Sequence, residues 1–344
     1  MRFLARALVV GALLGAACKP DLHQTVSIVS QTQILAVRED PGEGAPKTDI
    51  QYLALVADSS GPLQTPVDWA FCNEREPLAE LGPVSPKCYE PSGSWFSPIG
   101  IGTQVTGALP TLGCRQFGPE VPEPQANQPQ GRPVDPDATG GYYQPARALV
   151  ASGSADVIGI AETRLTCGLA GTPDQVTQFA HHYVANVNPM IDALTAGTTS
   201  LVTDESGATN PVPVGGVLSL TASWAPCPTP TGVCGDHFCA LDETPTSCPD
   251  DCATLAGCTG AETYVNLDLA THSLLQQREG MQVSWFATAG AFDNDQTGRG
   301  PEEMTNFTTN GWRAPDRPGP VHLWAVLRDD RGGTGWAEYL FDVR

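Results

Sequence analysis

"GPVHLWAVLRDDRGGTGWAEYLFDV", residues 319–343, decides the fold class. Two runs of alternating apolar residues flank an Asp/Gly-rich turn, which is the pattern of a β-hairpin. Val321, Leu323, Ala325 and Leu327 fall on one face of the first run, and Ala337, Tyr339, Phe341 and Val343 on one face of the second. Both sets reach a single core only if odd residues pair with odd ones, so the connection must contain an odd number of residues. In that register Trp324 and Trp336 lie on the opposite face as near-diagonal neighbours. Two exposed tryptophans would form a docking face for a protein, a peptide or a sugar ring. The favoured expectation is that another part of the chain covers them.

The same alternation extends upstream. "MQVSWFATAG" (281–290) places Met281, Val283, Trp285 and Ala287 on one face, and "GGVLSLTASW" (215–224) does so for Leu218, Leu220, Ala222 and Trp224. In the N-terminal half, "TVSIVSQTQILAV" (25–37), "TDIQYLALVAD" (48–58) and "VDWAF" (67–71) read as strands. "VIGIAETRLTC" (157–167) and "VTQFAHHYVANV" (176–187) read as the closing pair, and Trp69-Ala70-x-Cys72 echoes Trp224-Ala225-x-Cys227. Between them "GPEVPEPQANQPQGRPVDPDATGG" (118–141) has too many prolines for a strand or a helix.

Trp285, then "NGWRAP" (310–315), "PGPVHLWAVLRDDRGG" (318–333) and a last strand ending "FDV" resemble bacterial immunoglobulin-like and PKD-like surface modules. The resemblance implies a β-sandwich, and modules of this kind act mostly as spacers, stalks and binding platforms. The expected architecture is all-β, with two immunoglobulin-like sandwiches. The first spans 26–195, with a proline-rich insertion at about 115–145. The second spans 196–344, with a Cys-rich insertion at about 227–258. The chain as a whole resembles two-domain lipoproteins of myxobacterial type.

The chain opens "MRFLARALVVGALLGAAC": Arg2 and Arg6, a short apolar run, then small residues. This is an export signal over 1–17, too short in its apolar part to span a bilayer. Leu14-Gly15-Ala16-Ala17-Cys18 resembles the lipobox of bacterial lipoproteins, with Gly15 where that family prefers Leu. The resemblance implies a diacylglyceryl group on Cys18, a tether over 18–25 and, with Lys19 next, sorting to the outer membrane of a Gram-negative bacterium. Of the 11 cysteines, ten then remain, which can all pair. Of 18 basic residues, 16 remain after Arg2 and Arg6 against 38 acidic ones, a net charge of −22. So acidic a surface repels phosphate backbones and excludes nucleic acid as a partner. The expected contacts are the membrane, through the lipid, and a protein or glycan partner.

"CGDHFCALDETPTSCPDDC" (234–252) admits three chemistries. In an oxidising compartment Cys234, Cys239, Cys248 and Cys252 favour disulfides over zinc, and their spacing lacks the paired short knuckles of a zinc ribbon. Cys227 and Cys258 flank the stretch and are placed to close its base. Cys72, Cys88, Cys114 and Cys167 are left for the first domain, in a connectivity the sequence leaves open. Calcium is the third possibility: Asp236, Asp242, Glu243, Asp250 and Asp251 offer oxygen ligands, and the stretch resembles short "CGDGxC…CPxDC" repeats of bacterial surface proteins. A second acidic loop, "DNDQTG" (293–298), sets Asp293 and Asp295 at the first and third positions of an EF-hand loop, but Met304 stands where the twelfth should be Glu.

No phosphate-cradling loop, HExxH, Gly-x-Ser-x-Gly elbow or dinucleotide fingerprint occurs. On a strand, His181 and His182 would point to opposite faces and not cooperate. The expected function is that of a non-catalytic, envelope-anchored lipoprotein acting as an interaction or structural module. The alternative is a calcium-stabilised adhesin or carbohydrate-binding protein. A carboxylate-dependent glycan hydrolase is the weakest reading and requires a cleft holding two close carboxylates.

Overall fold

A computed structural model describes residues 26–76, 84–120, 139–153, 155–169, 171–204, 207–231, 233–252, 255–268 and 270–344. The expected export signal, Cys18 and the expected tether lie outside the described residues, as does most of the proline-rich segment.

The first domain contains β1 (Gln33–Asp40), β2 (Glu43–Gly44), β3 (Asp49–Asp58), β4 (Gly61–Pro62), β5 (Val67–Cys72), β6 (Phe96–Gly102), β7 (Gln104–Ala108), the one-turn helix α1 (Gly113–Gln116), β8 (Tyr143–Val150) and β9 (Val157–Leu165). One sheet joins β1, β3, β4 and β7, and the other runs β2-β9-β8-β5-β6. The second domain contains β10 (Ala193–Ala196), β11 (Thr199–Ser200), β12 (Asn210–Val212) and β13 (Val217–Ser223). After the hairpin β14 (Thr263–Asp268) and β15 (Ser273–Arg278) come β16 (Met281–Ala287), β17 (Ala291–Phe292), β18 (Gln296–Arg299), β19 (Phe307–Arg313), β20 (Gly319–Asp329) and β21 (Thr334–Val343). Its sheets run β11-β10-β13-β19-β17 and β12-β21-β20-β16-β18.

The two domains repeat one topology. In each, the first strand pairs antiparallel with the second long strand (β1 with β3, β10 with β13). A short segment then crosses to the other sheet and pairs parallel with the last strand (β2 with β9, β12 with β21). That crossing, with the third long strand set beside the penultimate one, is the immunoglobulin arrangement. Trp69 on β5 and Trp285 on β16 occupy equivalent central positions and are fully buried. The Trp-Ala-x-Cys echo therefore matched the wrong residues, because Trp224 follows β13 at a different place in the topology.

The alternating faces build the second core. Val321, Leu323, Ala325, Leu327, Tyr339, Phe341 and Val343 pack with Met281, Val283, Trp285 and Leu220, and Ala337 lies against them. Leu323 pairs with Tyr339 and Arg328 with Thr334, so five residues, 329–333, separate the last paired positions, an odd number as expected. β8 pairs with β5 across the proline-rich segment, which makes that segment an excursion within the first domain and not a linker.

Several expectations need correction. "VTQFAHHYVANV" is not a strand: Pro173–His182 is a helix, α2, capped by a reciprocal box in which the Thr172 and Gln175 side chains each take the other's backbone N–H. The closing pair of the first domain is β8 and β9. β10, which begins at Ala193, already belongs to the second domain, so the boundary falls before 195. The Cys-rich insertion extends beyond 258 to include the β14–β15 hairpin. "TVSIVSQTQILAV" is split: Val29 donates to the Ala287 carbonyl of the second domain, and β1 begins only at Gln33.

Candidate functional site

Covalent chemistry organises the Cys-rich insertion. The bonds are Cys72–Cys88, Cys114–Cys167, Cys227–Cys258, Cys234–Cys248 and Cys239–Cys252. Cys227–Cys258 closes the base, and the two inner bonds interleave. With its own cysteines oxidised, the insertion has no thiolates to offer zinc.

Its acidic residues serve the local backbone. Asp251 accepts from the N–H groups of Gly235 and His237 at 2.6 and 2.9 Å. Asp236 accepts from Thr231 N and Phe238 N, and Glu243 from Ala240 N. Asp242 and Asp250 are exposed. A module with so few apolar residues is held by these carboxylate-to-amide bonds and its cross-links, and the carboxylates do not converge on a common point. The EF-hand reading of 293–298 fails on geometry. Thr297 and Gly298 lie within β18, paired to Val283 and Gln282, and a strand cannot wrap a cation. The Asp293 carboxylate lies over Gly311, while Asp295 accepts from Ser27 Oγ.

Trp324 and Trp336 do not form a free docking face. Trp324 is 0% exposed and packs with Val326 against Val29, Leu35, Ala36, Leu55 and Ala57 of the N-terminal part. A β-bulge between Ile34 and Ala36 lets Leu35 and Ala36 both face outward toward this seam. Trp336 is half-buried, with the Arg38 guanidinium 5.8 Å from its ring centre.

Beside the seam lies a buried network that the sequence did not advertise. Arg331, on the turn between β20 and β21, is 0% exposed. Its Nε donates to Glu279 at 2.6 Å, its Nη2 to Glu262 and its Nη1 to the Val184 carbonyl at 2.9 Å. Asp329 folds back onto the Arg331 and Gly333 amides. Across the boundary Glu43 pairs with Arg164 at 3.4 Å and accepts from Asn186 N, while the Asn186 side chain reaches Asp329.

One guanidinium cannot neutralise this many carboxylates. Burial pushes Glu262 up to about 7 and Glu279 well above the usual range, with Arg331 opposing in both cases. Burial likewise pushes Glu39, at the seam, up to about 8, and Asp329 and Glu162 add to the effect. Shifted carboxylates often mark active sites. Here Glu262 and Glu279 have 3% and 0% side-chain exposure and are held by Arg331; Glu262 borders a small pocket beside His182, Asp251 and Cys258, and Glu279 is not among its lining residues. His181 and His182 sit on α2. His182 is buried, with its ring nitrogens against the Gln178 and Glu243 carbonyls, and so ties α2 to the Cys-rich insertion.

No family model matches the chain, and neither does any curated protein. Among solved structures, the fibronectin(III)-like modules of Clostridium thermocellum CbhA align at 12% identity and a TM-score of 0.22, covering 90% of this chain and 94% of that one. The Yersinia pseudotuberculosis adhesin InvE aligns at 11% and 0.20, over 90% and 58%. A DUF4785 family protein from Legionella pneumophila aligns at 8% and 0.20, over 89% and 55%. These scores are low, and the immunoglobulin-like architecture rests instead on strand order and on the parallel pairing of β2 with β9 and β12 with β21. Among the described residues no helix is long and apolar enough to cross a membrane.

Proposed function

We propose that this chain is a non-catalytic lipoprotein of the cell envelope, whose two immunoglobulin-like domains act as one interlocked interaction or structural module. The observation that carries the reading is the seam. The sheet face that a free module offers to partners is filled by the other domain, through Trp324, Val326, Leu35 and Ala57. A pair locked in this way presents a fixed composite surface, which suits a spacer or docking platform for a protein or glycan.

Five disulfides fit an oxidising, extracytoplasmic compartment. The short apolar start, the lipobox-like run ending at Cys18 and Lys19 support lipid anchoring and sorting to the outer membrane. The acidic surface argues against nucleic acid. The calcium-stabilised adhesin reading is the weaker one, because its proposed ligands are engaged by the local backbone or lie apart.

The test is an intact mass of protein purified from its own envelope, alkylated before and after reduction. A diacylglyceryl-modified Cys18, with no alkylation before reduction, supports the reading. An unmodified N-terminus beginning elsewhere, or free thiols in the native protein, contradicts it.

A further inference from the structure

Three side chains from separate segments meet at the edge of the seam. His322 lies on β20, Glu338 on β21, and Asp204 on the connection between β11 and β12. His322 Nδ1 stands 3.8 Å from an Asp204 carboxylate oxygen and 3.7 Å from Glu338 Oε1. The three ligand atoms fall within 4.8 Å of one another. These separations exceed a hydrogen bond, whose upper range is about 3.2 Å. They are a few tenths of an ångström wider than the ~3.4 Å between ligand atoms around a tetrahedral zinc with bonds of about 2.1 Å. His322 Nδ1 and Glu338 Oε1 are shut off from solvent and have no hydrogen-bond partner. Two inward-facing polar atoms without partners are costly unless something binds between them.

The imidazole is held in place. Its ring stacks on Trp324 at 5.9 Å and 17°. Gly61 of the first domain also lies against it, where a Cβ would stand 2.6 Å from Nε2. Glu338 pairs with Trp324 across the hairpin and His322 with Leu340, so the two ligands are diagonal neighbours on one face.

We propose that Asp204, His322 and Glu338 form a divalent transition-metal site, occupied by zinc, that clasps the β11–β12 connection to the closing hairpin beside the domain seam. One neutral imidazole and two carboxylates balance the charge of the ion and match zinc's preference for mixed nitrogen and oxygen ligands. The side chains keep 17–25% exposure, which leaves room for a water as fourth ligand. Calcium, which takes six to eight oxygens, is poorly served here. The site is independent of the interaction reading above.

The test uses untagged mature protein stripped with a chelator. Zinc chloride should raise the melting temperature saturably, by a few degrees at about a hundredfold excess over Kd, while calcium chloride at the same concentration does not. Glu338→Gln and Asp204→Asn, near-isosteric changes, should abolish the zinc shift and keep the metal-free melting temperature. Cobalt(II) added to the stripped wild type should give the visible absorption of a low-coordinate site, and this readout does not depend on how the variants fold. No zinc shift, an equal shift with calcium, a shift that survives in both variants, or a cobalt spectrum like that of the free ion would overturn the proposal.

Discussion

The guanidinium of Arg328, on β20 of the second domain, donates a 2.9 Å hydrogen bond to the carbonyl of Leu35, on β1 of the first. Its other nitrogen reaches Ser284 on β16 at 3.1 Å, so one side chain ties three strands from both domains together. The bond lies beside the apolar seam and satisfies a carbonyl that the bulge at Leu35 removes from the regular ladder. Hydrophobic area supplies most of the adhesion here, and the polar contacts fix its register.

Truncating the central seam residue tests that division. Trp324→Ala leaves a cavity where Leu35, Ala36 and Ala57 had packed, and the expected loss is about 3–5 kcal/mol. Urea unfolding of the variant should show it as a lower midpoint. A loss under about 1 kcal/mol would mean that the seam contributes little.

Stability should fall in mildly alkaline solution. Burial pushes Glu39 up to about 8 and Glu262 up to about 7, against a usual value of 4.5. The folded chain keeps these protons after the unfolded chain has released them. The stabilisation is therefore full below the unfolded value and is lost as pH rises through 7 and 8. The unfolding free energy at about pH 6 should exceed that at about pH 9 by an amount on the order of a few kcal/mol, read from urea midpoints. Glu39→Gln should flatten the alkaline part of the profile.

Arg331 holds Glu262 and Glu279 or is held by them, and the two views differ in outcome only when one side is removed.

 Arg331→Met strands both carboxylates without their cation, at an expected cost of about 3–5 kcal/mol. Adding Glu262→Gln and Glu279→Gln to that variant should recover much of the loss, as measured by the same unfolding midpoint. A triple variant no more stable than Arg331→Met would show that the charges are not what the cation is there to hold.

The acidic loops should be indifferent to calcium. Asp236, Glu243 and Asp251 already accept backbone N–H groups. Millimolar calcium should therefore leave the melting temperature unchanged, whereas reduction should lower it, with a loss of about 2–4 kcal/mol per cross-link. A clear calcium-induced rise would restore the adhesin alternative.

The long alternating strands were legible because each buries one face, and a period of two survives in the letters. Strands β2 and β12, of two and three residues, are too short to carry any period, although their parallel pairing defines the topology. α2 was misread from its apolar letters, while the readable signal stood just upstream in Thr172-Pro173-Asp174-Gln175, a capping box. Arg331 was hidden for a different reason. "DDRGG" reads as a solvated turn, and its partners Glu262 and Glu279 are remote in sequence. The seam was only half visible: Trp324 could be placed on the outer face of its hairpin, but its cover depends on a bulge at Leu35 that the alternation alone does not reveal.

Small-angle X-ray scattering of residues 18–344 tests the interlocked pair most directly. Side-by-side packing through Trp324 and Leu35 predicts a radius of gyration near 20 Å, that of a single compact body of this length, with one maximum in the pair-distance distribution. A radius of about 25 Å or more, with a second maximum from two separated domains, would contradict the account.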